Sequence, residues 1–126
     1  MYASSSRALA CLETIVHLAG GDPLPLNRYL VEIEIPSAAW RNRVVFKMDS
    51  NVGWDAEPAG KVSLDWGTDW AIKTTSLIAV VPSVIVPEES NIIINPEHRD
   101  IKAISARKIC RWTYDGRLSA ASKQVR

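Results

Sequence analysis

Leu77-Ile-Ala-Val-Val-Pro-Ser83-Val-Ile-Val-Pro-Glu-Glu-Ser-Asn91-Ile-Ile-Ile-Asn95 is the stretch that decides the fold. Leu77 to Val81 and Val84 to Val86 are continuous apolar runs rich in β-branched residues, the composition of a strand covered on both faces. Pro82 has no N–H to give to a ladder, so a bend or bulge is expected between them. Asn91 to Asn95 reads as a further short strand, closed by Pro96. Upstream, Ser4, Ser5 and Ser6 precede Arg7-Ala-Leu-Ala-Cys-Leu-Glu-Thr-Ile-Val-His-Leu18, with serines placed to cap a helix. Leu9, Leu12 and Val16, widened by Ala8 and Ile15, form its apolar stripe. Gly20-Gly21 stop it, because glycine readily takes the left-handed conformation that closes a helix.

Arg28-Tyr-Leu-Val-Glu-Ile-Glu-Ile35 alternates, with Val31, Ile33 and Ile35 on one face and Glu32 and Glu34 on the other, a half-buried strand. Residues 37–66 carry Asn51, Gly53, Pro58 and Gly60 and read as a long surface excursion. Thr68 is placed to cap a short helix through Lys73. Ile101 to Trp112 is extended, but Lys102, Arg107, Lys108 and Arg111 intrude on both faces, which suits an edge strand. These elements predict an α+β (mixed) domain.

At 126 residues and 47% hydrophobic, the chain can bury one core without metal or disulfide staples. Its longest apolar runs are far too short to span a membrane, and no cleaved signal is expected. Cys11 and Cys110 stand apart and in no CxxC spacing, so buried free thiols in a reducing cytoplasm are expected. His17 and His98 share no ligand spacing with them, and no metal is expected. Net charge is +1, split between −5 for residues 1–98 and +6 for residues 99–126. A solvated edge strand and a loose terminus account for that basic segment. No stacking aromatic pattern accompanies it, so direct binding to nucleic acid is not expected.

Five residues are candidates for chemistry. Glu13 lies in the apolar run Leu-Ala-Cys-Leu-Glu-Thr-Ile-Val-His-Leu. Periodicity alone places it on the solvent-facing stripe of the helix, whereas a buried carboxylate there needs partners and marks a site. Ser83, between two apolar runs, must bond to the backbone at the bend or to another buried group. Asn91 and Asn95 are turn formers or polar groups reaching into a cleft. Tyr2 stands too near the terminus for pattern to assign it.

Tyr2-Ala-Ser-Ser-Ser-Arg-Ala-Leu-Ala-Cys-Leu-Glu13 resembles the Tyr-x-Ser…Ala-Leu-Ala-x-Leu-Glu segment of the RES domain. Val81-Pro-Ser-Val-Ile-Val-Pro-Glu88 and Asn91-Ile-Ile-Ile-Asn-Pro-Glu-His98 are similar to its Val-Pro-Ser…Asn-Pro-x-His block. Tyr114-Asp-Gly-Arg-Leu118 is similar to its closing Asp-x-Arg-Leu. Leu30–Pro36 and Gly67-Thr-Asp-Trp70 fall where that family has a strand and a Gly-Asp-x-Trp turn. The resemblance implies a domain over residues 1–118 with an ADP-ribosyltransferase-like fold, small twisted sheets and a flanking helix. Residues 119–126 are then a basic tail expected to be disordered.

The resemblance further implies a cytoplasmic toxin of a bacterial toxin–antitoxin pair that cleaves the nicotinamide–ribose bond of NAD+ and is blocked by an Xre-type helix-turn-helix antitoxin. Any contact with nucleic acid then runs through that antitoxin. Glu13 takes the part of the catalytic carboxylate, which reverses the periodicity reading. Tyr2 lines the nicotinamide pocket and is the second catalytic residue. Ser83 and Asn91 join it in binding NAD+. The family's Gly-Gly-Arg-Trp-Asn segment, whose arginine holds the diphosphate, has no match ahead of Tyr2, and neither Arg7 nor Arg28 stands at its position. The expectation is therefore an N-terminally truncated domain, with a catalytically impaired, antitoxin-binding remnant as the alternative.

Overall fold

β-branched Ile78, Val80, Val81 and Ile92 to Ile94 settle into paired strands, with Ile78, Ile92 and Ile94 buried in the core. The computed structural model describes residues 1–18 and 22–119. In it, β4 (Ile78–Pro82) and β5 (Ser90–Ile94) pair antiparallel. β1 (Tyr2–Ser4) adds to the free edge of β5, and β3 (Val44–Val45) runs parallel to β4. The result is a four-stranded sheet in the order β1-β5-β4-β3. β2 (Arg28–Glu34) and β6 (Ser105–Trp112) form a separate antiparallel pair.

Among the described residues, three α-helices complete the mixed α+β fold: α1 (Arg7–Val16), α2 (Ser37–Arg41) and α3 (Lys61–Lys73). Leu77, Ile78, Ile92 and Ile94 form the core cluster, against which Ile33 and Ile35 and the Ile101–Ile104 connection pack. Ser6 caps α1 by accepting from the Leu9 N–H at 3.1 Å. Buried Trp70 on α3 donates through Nε1 to Ser76 Oγ at 2.8 Å, and Ser76 donates on to the Ile78 carbonyl, which ties the helix to β4.

Several expectations change here. Val84-Ile-Val86 is not a strand. It forms the turn between β4 and β5, because Ser83 Oγ accepts from the N–H groups of Ile85 and Val86, each at 3.1 Å. Pro82 does not bend a continuing ladder but ends it, opposite Ser90. The excursion at 37–66 contains α2, β3, a 3₁₀ turn at Met48–Ser50 and the start of α3. α3 begins at Lys61, with Gly60 at its N-cap, so Thr68 lies inside the helix rather than at its start, and Gly67–Trp70 is helix rather than turn.

The poor alternation of β6 also has a physical source. Leu30 pairs with Cys110 and Val31 with Lys108, leaving Ile109 as an extra residue in a bulge that shifts the facing pattern. Val31 is accordingly half-exposed. The thiols are not buried, since Cys110 is exposed and Cys11 partly so. The basic residues of β6 are spent locally. Arg107 pairs with Glu32 at 2.7 Å, Lys108 stands 4.1 Å over the Tyr29 ring, and Arg111 donates to the Leu26 carbonyl. α1 ends at Val16, while the glycine stop at 20–21 and the tail from 120 onward lie outside the described residues.

Candidate active site

Strand pairing and one helical turn together bring four distant residues to one point. β1 aligns Tyr2 with Ile93 and Ser4 with Asn91. α1 follows directly, and its inward stripe runs through Leu9 and, four residues on, Glu13. Leu9 is 1% exposed and Glu13 9%, whereas Val16 is 52% exposed, so the solvent-facing reading of Glu13 is overturned. The β4–β5 turn supplies Ser83, and the first paired residues of β5 supply Asn91.

Glu13 Oε1 accepts two hydrogen bonds, from Ser83 Oγ at 2.8 Å and from Asn91 Nδ2 at 2.7 Å. Asn91 Oδ1 in turn accepts from Ser4 Oγ at 2.7 Å, which fixes the amide with its NH₂ toward the carboxylate. Ser83 and Asn91 are 0% and 1% exposed. Among the described residues no donor reaches Oε2, and Glu13 lines the adjoining cavity. One oxygen is therefore clamped and the other is available to a ligand. Buried, charge-assisted hydrogen bonds of this kind hold a side chain in one rotamer.

Tyr2 lines the same cavity. Its phenol is pushed up to about 12, first by desolvation and then by the negative charge of Glu13. Tyr2 is thus a neutral hydrogen-bond donor throughout the physiological range. Folding favours the protonated phenol, so its contribution is intact below pH 10 and is lost as pH rises towards about 12. Tyr2→Phe is expected to flatten that alkaline decline relative to the parent, as read by thermal melts between pH 9 and 12. Parallel curves would contradict the shift.

The structure separates the two asparagines. Asn91 is buried behind Glu13, which it holds, and lines neither of the recesses beside it, whereas Asn95 is a turn former: its Oδ1 accepts from the Glu97 N–H and its Nδ2 donates to the Ala71 carbonyl. His98 accepts from the Asp100 N–H in the same connection. Asp115 caps the terminal 3₁₀ turn and pairs with Arg117, which holds its carboxyl down at about 2; neither residue lines the cavity.

Sequence reading missed Ser4, His17 and the aromatic wall of the cavity. Ser4 shares a strand face with Tyr2, a period-two signal that was legible. His17 is one turn past Glu13, its Nδ1 2.6 Å from the Glu13 carbonyl oxygen, and it also lines the cavity. The wall consists of Phe46, Trp54 and Trp66, from a region whose pattern suggested only loop. Among the described residues there is no group of three or more potential metal ligands, and no helix is long and apolar enough to cross a membrane.

The RES domain model matches residues 1–116. This chain belongs to the RES domain family. The RES domain here is 56% identical over 119 residues to the "Prs ADP-ribosylating toxin" of Sphingobium sp. (strain YBL2), covering 94% of this chain and 73% of that protein. It is 34% identical over 124 residues to a "Toxin Res" of Photorhabdus laumondii, covering 98% of this chain and 78% of that one. A "Toxin Res" of Yersinia enterocolitica is 33% identical over 120 residues, with 94% and 76% covered. Toxin names thus recur among the relatives of this RES domain, one of them for an enzymatic activity.

Proposed function

We propose that this RES domain is a cytoplasmic toxin that consumes NAD+ by cleaving its nicotinamide–ribose bond, with Glu13 as the catalytic carboxylate. The observation that carries the reading is the clamped carboxylate: Oε1 is bonded by Ser83 and Asn91, and Glu13 lines the cavity. When the bond breaks, its electron pair passes to the ring nitrogen and nicotinamide leaves neutral. Positive charge is left on the ribose carbon and ring oxygen, as in glycoside cleavage. A fixed carboxylate oxygen beside the sugar stabilises that charge and needs no reorganisation to do so.

Tyr2, a neutral donor with an aromatic face, packs the nicotinamide end. Ser83 and Asn91, buried behind Glu13 and outside the cavity lining, serve NAD+ binding only through the carboxylate they hold in place. The ADP-ribosyl cation is then captured by water, phosphate or a protein side chain. The name of the Sphingobium relative supports a protein acceptor. An Xre-type helix-turn-helix antitoxin covering the cleft would hold the activity in check.

Expression of the chain in a bacterium tests the reading. Growth arrest with falling cellular NAD+, relieved by co-expression of the Xre-type antitoxin, is expected. Antitoxin binding with undiminished NAD+ and normal growth would replace it with the binding-only remnant.

A further inference from the structure

The face of β2 that packs on the core continues past it into solvent. Successive residues of a strand alternate faces, so Tyr29, Val31 and Ile33 share one. Ile33 packs against the core cluster, whereas Val31 and Tyr29 are each half-exposed. Across the ribbon Val31 stands opposite Lys108 and Tyr29 opposite Arg111, and directly opposed residues lie on the same face. Three residues apart on a regular strand, Lys108 and Arg111 would point to opposite sides. The bulge at Ile109 turns both to the side of Tyr29 and Val31. Lys108 Nζ stands 4.1 Å from the centre of the Tyr29 ring, as a shared face requires.

These cations are fixed in place without being neutralised. Lys108 rests on a ring, and Arg111 Nη2 donates to the Leu26 carbonyl at 2.8 Å. Arg28, next to Tyr29, donates to the Asn27 amide oxygen. Among the described residues no carboxylate is ion-paired with any of the three, and Glu32 is already taken by Arg107. Guarding a strand edge needs only charge. Here ordered charge is interleaved with Tyr29, Val31 and exposed Leu26, and arginine beside tyrosine and aliphatic groups is the chemistry of protein recognition. Arg28 joins this face to the site, because it lines a recess that Tyr2, Glu13 and His17 line too.

We propose that the face formed by Tyr29, Val31, Lys108 and Arg111 docks an acidic patch on the protein that accepts ADP-ribose. The proposal rests on the NAD+-cleaving reading with a protein acceptor, and it names the surface that recognises that acceptor. Docking there brings the partner to the recess shared by Arg28 and Glu13. In the transfer, the acceptor's nucleophilic atom bonds to the ribose carbon as the bond to nicotinamide breaks. Nicotinamide leaves with the electron pair, and the acceptor's proton passes to water. An acidic protein is favoured over nucleic acid because Tyr29 and Val31 make half of the face.

The test compares the parent with Lys108→Glu/Arg111→Glu and with Lys108→Gln, which leaves the bond from Arg111 to Leu26 intact. Three readouts are needed: anisotropy of fluorescein-labelled poly-L-glutamate, nicotinamide release from NAD+ in buffer alone, and transfer of label from biotinylated NAD+ to the proteins of a bacterial extract. The parent is expected to bind poly-L-glutamate, more weakly as salt rises. The double variant should lose about tenfold in that binding and in label transfer, with nicotinamide release unchanged. Lys108→Gln should move the first two the same way by a smaller factor. Unchanged transfer by the double variant, or an equal fall in transfer and release, would overturn the proposal. So would tighter binding of a DNA duplex than of poly-L-glutamate, or a parent dimer that the double variant dissolves. NAD+ cleavage by the parent without any transfer to protein would overturn it and leave the catalytic reading standing. No cleavage by the folded parent would overturn both.

Discussion

Glu13→Gln is expected to lower the rate of NAD+ cleavage by about 10²–10³-fold while leaving the fold intact, the loss typical of removing one charge-stabilising group from a reacting centre. Glutamine preserves the shape and an acceptor oxygen where Oε1 stands, so Ser83 and Asn91 keep their partner. What disappears is the charge at Oε2, and that charge matters most when the ribose is most positive. The loss therefore falls on kcat, with KM little changed. Melting curves of the variant and its parent should coincide within a few degrees. A variant with full kcat would remove Glu13 from the chemistry, whatever its burial.

Ser83→Ala is expected to cost about 3 kcal/mol of stability, the scale for leaving buried polar groups without a partner. A drop of about 10 °C in melting temperature follows from that figure for a chain of this size. Ser83 Oγ makes three bonds at once, donating to Glu13 and accepting from the Ile85 and Val86 N–H groups. Its removal opens the β4–β5 turn and frees the carboxylate to change rotamer, so catalysis falls along with stability. Ser105→Ala, on the exposed start of β6, is the control and should stay within about 0.5 kcal/mol of the parent. Equal melting temperatures for Ser83→Ala and the parent would show that the turn does not depend on the hydroxyl.

Part of this architecture was readable from residues alone. The isoleucines of β5, the capped start of α1 and the extended run at 28–35 announced themselves through β-branching and serine placement. The run expected to be extended from Ile101 to Trp112 is strand only from Ser105, after a 3₁₀ turn at Ile101–Ala103. Glu13 did not, because the apolar stripe as spaced through Leu12 and Val16 differs from the buried line through Leu9 and Glu13. Tertiary cover, not periodicity, decides which side of a ten-residue helix faces in. Family resemblance put Glu13, Tyr2, Ser83 and Asn91 forward together. Only strand register brings Ser4 opposite Asn91, and only a turn built on a side chain explains why Val84-Ile-Val86 is not strand.

The aromatic wall of the cavity was hidden for a different reason. Phe46, Trp54 and Trp66 come from three unlike elements, the end of a two-residue strand, a loop and a helix interior. Nothing in their spacing links them. The one local oddity was a glycine inside a helix, and that helix was itself underestimated when Thr68 was read as its cap.

The most direct test of the central claim is nicotinamide release from NAD+ by the purified chain and by Glu13→Gln, measured side by side at neutral pH. Release by the parent and its near-complete loss in the folded variant is the predicted result. Equal release by both proteins, or none from the folded parent, would contradict the assignment of Glu13 as the carboxylate that drives NAD+ cleavage.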